Sequence, residues 1–444
     1  MDAHSDTATE VVSSADRMSA GSLTMVWWSL CSAMFYLFLG ATLALTFGTA
    51  NALVGAGLGA LAMSVLGYVF SRYAIRSGRS CYLLSRELFG TAGAALATLI
   101  FAVTAIYYAL FESSVVAVAA SKVIPRLGYV SACVLIVGYS VLLVTGSVQQ
   151  WLDKLNAVLL PVYLLGLGAA VLLAIRQYGY SNAWLSAGPQ STTPYGWWVC
   201  SMAYFGLQLL MMCTLDFARF GRAADHGYLG LFAFGLPFYV VAFLVNALVG
   251  IFLAAEASLA NVSETVVMDV CLAVLGGPMG LLFVWATQTR INTANYFLSA
   301  TNVQAFLRDV ARIRLPRLLS AVIVGGLVLA FLLSTNVLKY ILIAVNYQAV
   351  ILTAWVGVAL AYILGDRRRP ATDSGIDAPH HQPVYSARGL AAWAVSAASG
   401  LVIVSLGGSI ATLSVPVTLS VAVLAYWVPA ALRIRPAALH TREQ

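Results

Sequence analysis

WWSLCSAMFYLFLG, residues 27–40, is matched later in the chain by WWVCSMAYFG, residues 197–206. Both carry a Trp pair, a Cys–Ser pair, and an aromatic pair followed by Gly. Each opens an apolar block of roughly 20 residues, long enough to cross about 30 Å of hydrocarbon. The second copy begins five blocks after the first. An odd offset inserts it upside down, and inverted repeats of this kind build transporters that alternate their access between two faces. The competing reading is coincidence between two helices rich in Ser, Gly and aromatic residues.

The chain of 444 residues is 61% hydrophobic and only 9% charged, whereas a soluble domain is about 25% charged. This is the composition of an all-α, multi-pass membrane protein. Twelve spans are predicted: 25–47, 51–73, 93–118, 128–147, 156–175, 195–214, 228–254, 277–301, 317–334, 338–364, 389–408 and 413–432. With both termini cytoplasmic, 19 of the 24 Lys and Arg lie inside, and four lie outside: Lys122, Arg126, Arg176 and Lys339. That bias sets orientation during insertion and accounts for the net charge of +7 without nucleic acid. The expected division is a disordered tail at 1–22, a first five-helix repeat at 23–176 and an inverted second repeat at 195–364. A cytoplasmic linker at 365–388, two peripheral helices at 389–433 and a tail at 434–444 follow. The partly apolar stretch 256–277 reads as an interfacial or re-entrant helix.

No cleavable leader is visible at the N-terminus. The six cysteines are scattered and none is near a His, so they read as small apolar helix residues, with no metal or other cofactor implied. No phosphate-binding loop is present. An embedded enzyme would need a nucleophile with its base, or a metal cluster, and only one acid and no His fall inside the predicted spans. The expectation is not an enzyme but a monomeric protein of the plasma membrane whose spans do the work.

The polar groups inside the spans are few. YYALFESSVVAVAA, 107–120, holds Glu112 in a helix-forming apolar run, where a carboxylate costs roughly 3 kcal/mol or more. Thr104, Tyr108 and Glu112 are spaced by four and share a face. Either Glu112 pairs with a base on another helix, or it serves a site. FVWATQTRINTANYFLSATN, 283–302, places Gln288, Asn292, Asn295, Ser299 and Asn302 in one stripe. Lipid cannot satisfy amides, so the stripe must face protein or a wet cavity. Arg290 lies about 200° around the helix from Gln288. Span 10 carries Asn346, Tyr347 and Gln348, suited to packing or gating. Span 6 offers Tyr204, Phe205, Gly206 and Gln208; Gly206 marks either an unwound section or a close helix contact.

The chain resembles the nucleobase–cation symporter family, the purine and cytosine permeases with their allantoin, uracil and hydantoin relatives. The resemblance rests on SGRSCYLLSRELFGTAGAAL (77–96), DFARFGR (216–222) and NTANYFLSATN (292–302). It implies twelve spans, the first ten forming the inverted repeats of the leucine-transporter fold. A flat heterocycle would bind mid-membrane between spans 1, 3, 6 and 8. By resemblance, Tyr108 and Glu112 take the positions of a span 3 aromatic and a Gln, and Phe205 covers the other ring face. Asn292 and Asn295 supply amides, and Ser32 and Tyr36 mark the span 1 contribution; Gln208 and Gln288, read from the polar residues of spans 6 and 8 and not from the resemblance, complete the expected substrate-binding set.

Two departures matter. Glu112 replaces an amide, which suits an edge with adjacent N–H donors or a proton carrier. Where sodium-coupled members place paired hydroxyls, this chain has Arg290 and Ile291. Isoleucine offers no oxygen and guanidinium is permanently charged. Arg290 is therefore expected to stand in for the ion, with coupling to protons rather than sodium, or none. Arg290 pairing with Glu112 is the alternative. Asn346 and Gln348 would gate. The second functional reading is a transporter of the same fold, sodium-coupled, for an amino acid or amine.

Overall fold

The computed structural model describes residues 8–144, 153–189, 194–256, 266–334, 341–365 and 384–433. Within these it is helical, with one isolated bridge between Met18 and Gly221 in place of a sheet. The helices are α1 (Ala20–Trp27), α2 (Met34–Phe47), α3 (Thr49–Ser77), α4 (Cys81–Val123), α5 (Tyr129–Val144), α6 (Asp153–Tyr178), α7 (Gly196–Phe205) and α8 (Leu209–Ala218). Then come α9 (Ala223–Glu256), α10 (Val266–Leu275), α11 (Gly277–Val310), α12 (Arg317–Ser334), α13 (Ile341–Gly365), α14 (Ala387–Leu406) and α15 (Ser414–Arg433).

Among the described residues nine helices are long and apolar enough to cross a membrane, ten if the bent pair α1 and α2 counts as one. α5 is apolar but shorter, and α11 is diluted by its own polar stripe. α10 has ten residues, about 15 Å of rise, too short to span, and its Asp269 meets Lys122 at the end of α4 at 2.6 Å. Residues 257–265 and the linker residues 366–383 lie outside the described ones.

Spans 1 and 6 are both interrupted midway. In span 1 the chain tightens to a 3-10 turn over Trp28–Ser32, then Ala33 is extended (φ −61°, ψ 124°) before α2 begins, with a 42° bend. Serine chemistry favours this. Ser29 Oγ donates to Val26 O at 2.7 Å and Ser32 Oγ to Ser29 O at 2.8 Å, drawing carbonyls away from regular helix bonds. In span 6, α7 stops at Phe205 and α8 starts at Leu209.

Packing is intimate where glycines permit it. A Cβ on Gly250 would fall 2.1 Å from Leu37 O, so α9 and α2 cross backbone to backbone. α11 runs along α4 more extensively than along any other helix. α14 and α15 grip α13. Gly400 meets Val350 and Thr418, and Gly357 meets Ala422, with no room for a methyl group.

Residues 8–19, read from their polarity as part of a disordered tail, instead lie along one end of the bundle. Val12 N donates to Gly78 O at 3.0 Å and Met18 N to Phe220 O at 2.7 Å. Arg17 Nη1 donates to Ile75 O at 2.6 Å and to Gly221 O at 2.5 Å. Arg219 Nη1 reaches Glu10 O at 3.2 Å, Ser80 Oγ donates to Ala8 O, and Ala8 is buried with Tyr82, Ala94 and Ala305. The segment is held by backbone groups at helix ends, which composition does not reveal. Two of the motifs behind the family resemblance meet here, since Cys81 N donates to Asp216 Oδ1 at 2.9 Å.

Candidate functional site

The breaks in spans 1 and 6 face each other across α4 and α11. Between them is a cavity of about 30 Å³ lined by Leu30, Ala33, Phe35, Tyr36, Tyr108, Glu112, Leu207, Leu209, Leu210, Cys213, Ile291 and Asn295. That volume holds about two waters. It is smaller than a heterocyclic ring needs, so this is a closed arrangement whose walls must part to admit a ligand.

Four of the residues singled out from the sequence line it: Tyr36, Tyr108, Glu112 and Asn295. The amide nitrogen of Asn295 is buried without a partner. Glu112 is 1% exposed and accepts from Gln288 Nε2. Tyr108 OH accepts from Gln348 Nε2 at 3.1 Å, tying α13 to α4. Phe35 stands edge-on to Tyr108, ring centroids 6.2 Å apart.

Others stand back. Ser32 donates to Thr287 O at 3.2 Å, and Gln288 Oε1 accepts from Met34 N at 3.2 Å. Asn292 Nδ2 donates to Ser113 Oγ at 3.0 Å and reaches Ser140 Oγ at 3.5 Å, behind the cavity. Phe205 ends α7 and does not line it. Gln208 Nε2 folds back on Phe205 O at 2.6 Å, beside Met63 Sδ at 3.7 Å. Beyond the end of α7, Leu207, Leu209 and Leu210 face the cavity in place of an aromatic ring.

The unwound turn of span 1 exposes carbonyls that apolar surroundings cannot solvate. Arg290 Nη2 donates to Trp28 O at 3.2 Å. Asn246 Nδ2 donates to Cys31 O at 2.8 Å, and Tyr163 OH donates to Asn246 Oδ1. Arg290 is fully buried, its Nε and Nη1 have no partner, and no carboxylate among the described residues pairs with it, Glu112 included. Asn246 follows a π-helical stretch, Val240–Val245, the kind of irregularity that marks functional places. Sequence reading passed over it, although one Asn inside FLVNALVG was the available signal.

A second cavity of about 410 Å³ lies beside α13, the helix that also carries Gln348. Leu39, Thr42, Thr46, Gly206, Asn346 and Ala349 are among its walls. Tyr36 lines the first cavity and Leu39 the second, so the two are separated by about one helical turn.

No protein-family model matches the sequence, and no curated protein matches it. Solved structures do. The chain is similar to Mhp1, a nucleobase-cation-symport-1 family transporter, in a closed conformation with bromovinylhydantoin bound. The TM-score is 0.76 at 16% identity, over 97% of this chain and 95% of that one. The inward-facing conformation of Mhp1 matches at 0.70 and 16% identity, over 94% and 92% of the two chains. The outward-open state of a Na+-coupled sialic acid symporter matches at 0.67 and 13% identity, over 96% and 93%. The chain is a multi-pass, all-helical membrane protein with the leucine-transporter-like fold of these symporters.

Proposed function

We propose that this protein is a secondary transporter for a nucleobase or a related planar heterocycle, working by alternating access without the sodium site of sodium-coupled relatives. The observation that carries the reading is the convergence of Tyr108, Glu112 and the unpartnered amide of Asn295 on one cavity between two broken spans. A carboxylate accepts two N–H donors from one edge of a ring, the Asn295 amide donates to a ring carbonyl, and Tyr108 supplies a flat face. Arrival from the larger cavity requires the Tyr108–Gln348 contact to part, which makes Gln348 the gate and Asn346 part of the approach. Glu112, freed of a ligand, is the group placed to take up a proton.

The sodium argument is chemical. The Ile291 side chain has no oxygen to offer, and Arg290 already gives one donor, Nη2, to the span 1 turn, filling with a fixed charge the role a bound cation would have.

The test has two arms. The purified protein is heated with purines, pyrimidines, hydantoins and allantoin, since a ligand of the native state raises apparent stability by about 2.7 kcal/mol at a hundred times its Kd. Uptake of the best ligand into proteoliposomes is then compared in sodium and in choline. No stabilisation by any of the panel refutes the substrate class, and uptake that collapses in choline refutes sodium independence.

A further inference from the structure

We propose that Gln288 is a positioning residue through which the state of Glu112 sets how firmly span 8 holds the second half of span 1. The inference rests on the reading of Glu112 as the ligand-facing group of the site.

Met34 N is the first amide of α2. Ala33, which precedes it, offers no side-chain acceptor, so this N–H is one of the orphan donors of a helix start. Gln288 supplies the missing acceptor from another span. A main-chain N–H can only donate, so the amide oxygen of Gln288 must face Met34. Its nitrogen then faces Glu112, where it finds a carboxylate oxygen. The orientation is over-determined from both ends. A second thread joins the same places, Ser32 Oγ to Thr287 O. The two threads flank Ala33, where span 1 bends.

The bond from Gln288 to a charged carboxylate is about twice as strong as one to a neutral group. A proton, or the N–H edge of a ligand, draws on the same charge and weakens that bond. The amide then loses the anchor that keeps its oxygen on Met34 N. Loading the site thus loosens the half-helix that has to move.

The experiment needs no ligand. Cys213 lines the cavity and is 1% exposed, so its reaction with N-ethylmaleimide, read by site-resolved mass spectrometry on the full-length protein in detergent, reports opening. Gln288→Leu removes both bonds, and labelling is expected to rise at least tenfold, the equivalent of about 1.4 kcal/mol. Gln288→Glu sets two carboxylates face to face and is expected to do the same. The double variant Glu112→Gln with Gln288→Glu restores both bonds, that from Met34 N unchanged and that between 288 and 112 with its direction reversed, and is expected within threefold of wild type. A merely space-filling Gln288 predicts no such rescue. Wild-type labelling in Gln288→Leu, or a double variant no slower than Gln288→Glu, overturns the proposal. Should a single variant fail to fold, recovery of a monodisperse protein by the double variant counts as the same rescue, and its failure overturns the proposal. Since no substrate is added, an empty ligand panel would leave this result standing.

Discussion

Arg290 brings a fixed positive charge to a fully buried position where one nitrogen meets Trp28 O and the other two meet nothing. Taking such an ion out of water without a countercharge costs several kcal/mol, more than the roughly 1–3 kcal/mol of leaving one carbonyl unmet. Arg290→Met is therefore expected to raise the thermal midpoint in detergent while abolishing uptake, and a lower midpoint would show that the guanidinium is a net stabiliser. Its position around the helix from Gln288 was legible in the residue spacing, and so was the prominence of Glu112. The fate of Gln208 was not. A break in a helix frees a carbonyl that hydrocarbon cannot satisfy, and the nearest amide takes it, so the Gln208 nitrogen serves Phe205 O, away from the cavity lining. Asn292 likewise went to Ser113, because α4 lies along the whole stripe and offers a hydroxyl at that depth.

At the scale of helices, periodicity and length located the apolar spans and set aside α10, because blocks of about 20 residues are read from composition alone. Where helices touch is a matter of small residues and is less visible. Gly250 and Gly57 look alike in sequence, yet an added methyl at Gly250 would clash with a neighbouring backbone, while Gly57 has open space. Gly250→Ala is expected to lower the thermal midpoint, the cost of overpacking being about 1–3 kcal/mol. Gly57→Ala is expected to hold or raise it, since Ala favours a helix by up to about 1 kcal/mol over Gly. Equal shifts in the two would mean that α9 and α2 have slack at their crossing.

For the whole molecule, both Trp-Trp motifs open spans that are broken midway, but span 1 breaks directly at its Trp pair and span 6 eight residues beyond its own; the segment at residues 8–19 had no counterpart in sequence logic, because it is fastened by main-chain atoms. It joins the ends of α3 and α8 to the start of α4. Arg17→Ala removes its bonds to Ile75 O and Gly221 O, and amide hydrogen exchange across 8–19 is expected to quicken about tenfold, as for the loss of roughly 1.4 kcal/mol of local stability. Unaltered exchange would assign the hold to Ala8 and Met18. The grip of α14 and α15 on α13 has a different outcome. Val350 is pinned against Gly400, while Gln348 sits two residues, about 3 Å of rise, earlier. A lever that short cannot swing its tip far. Unlatching Tyr108 from Gln348 therefore falls to torsion of the glutamine side chain, a local change that leaves α13 in place, and the large movement of the cycle must be sought elsewhere in the molecule.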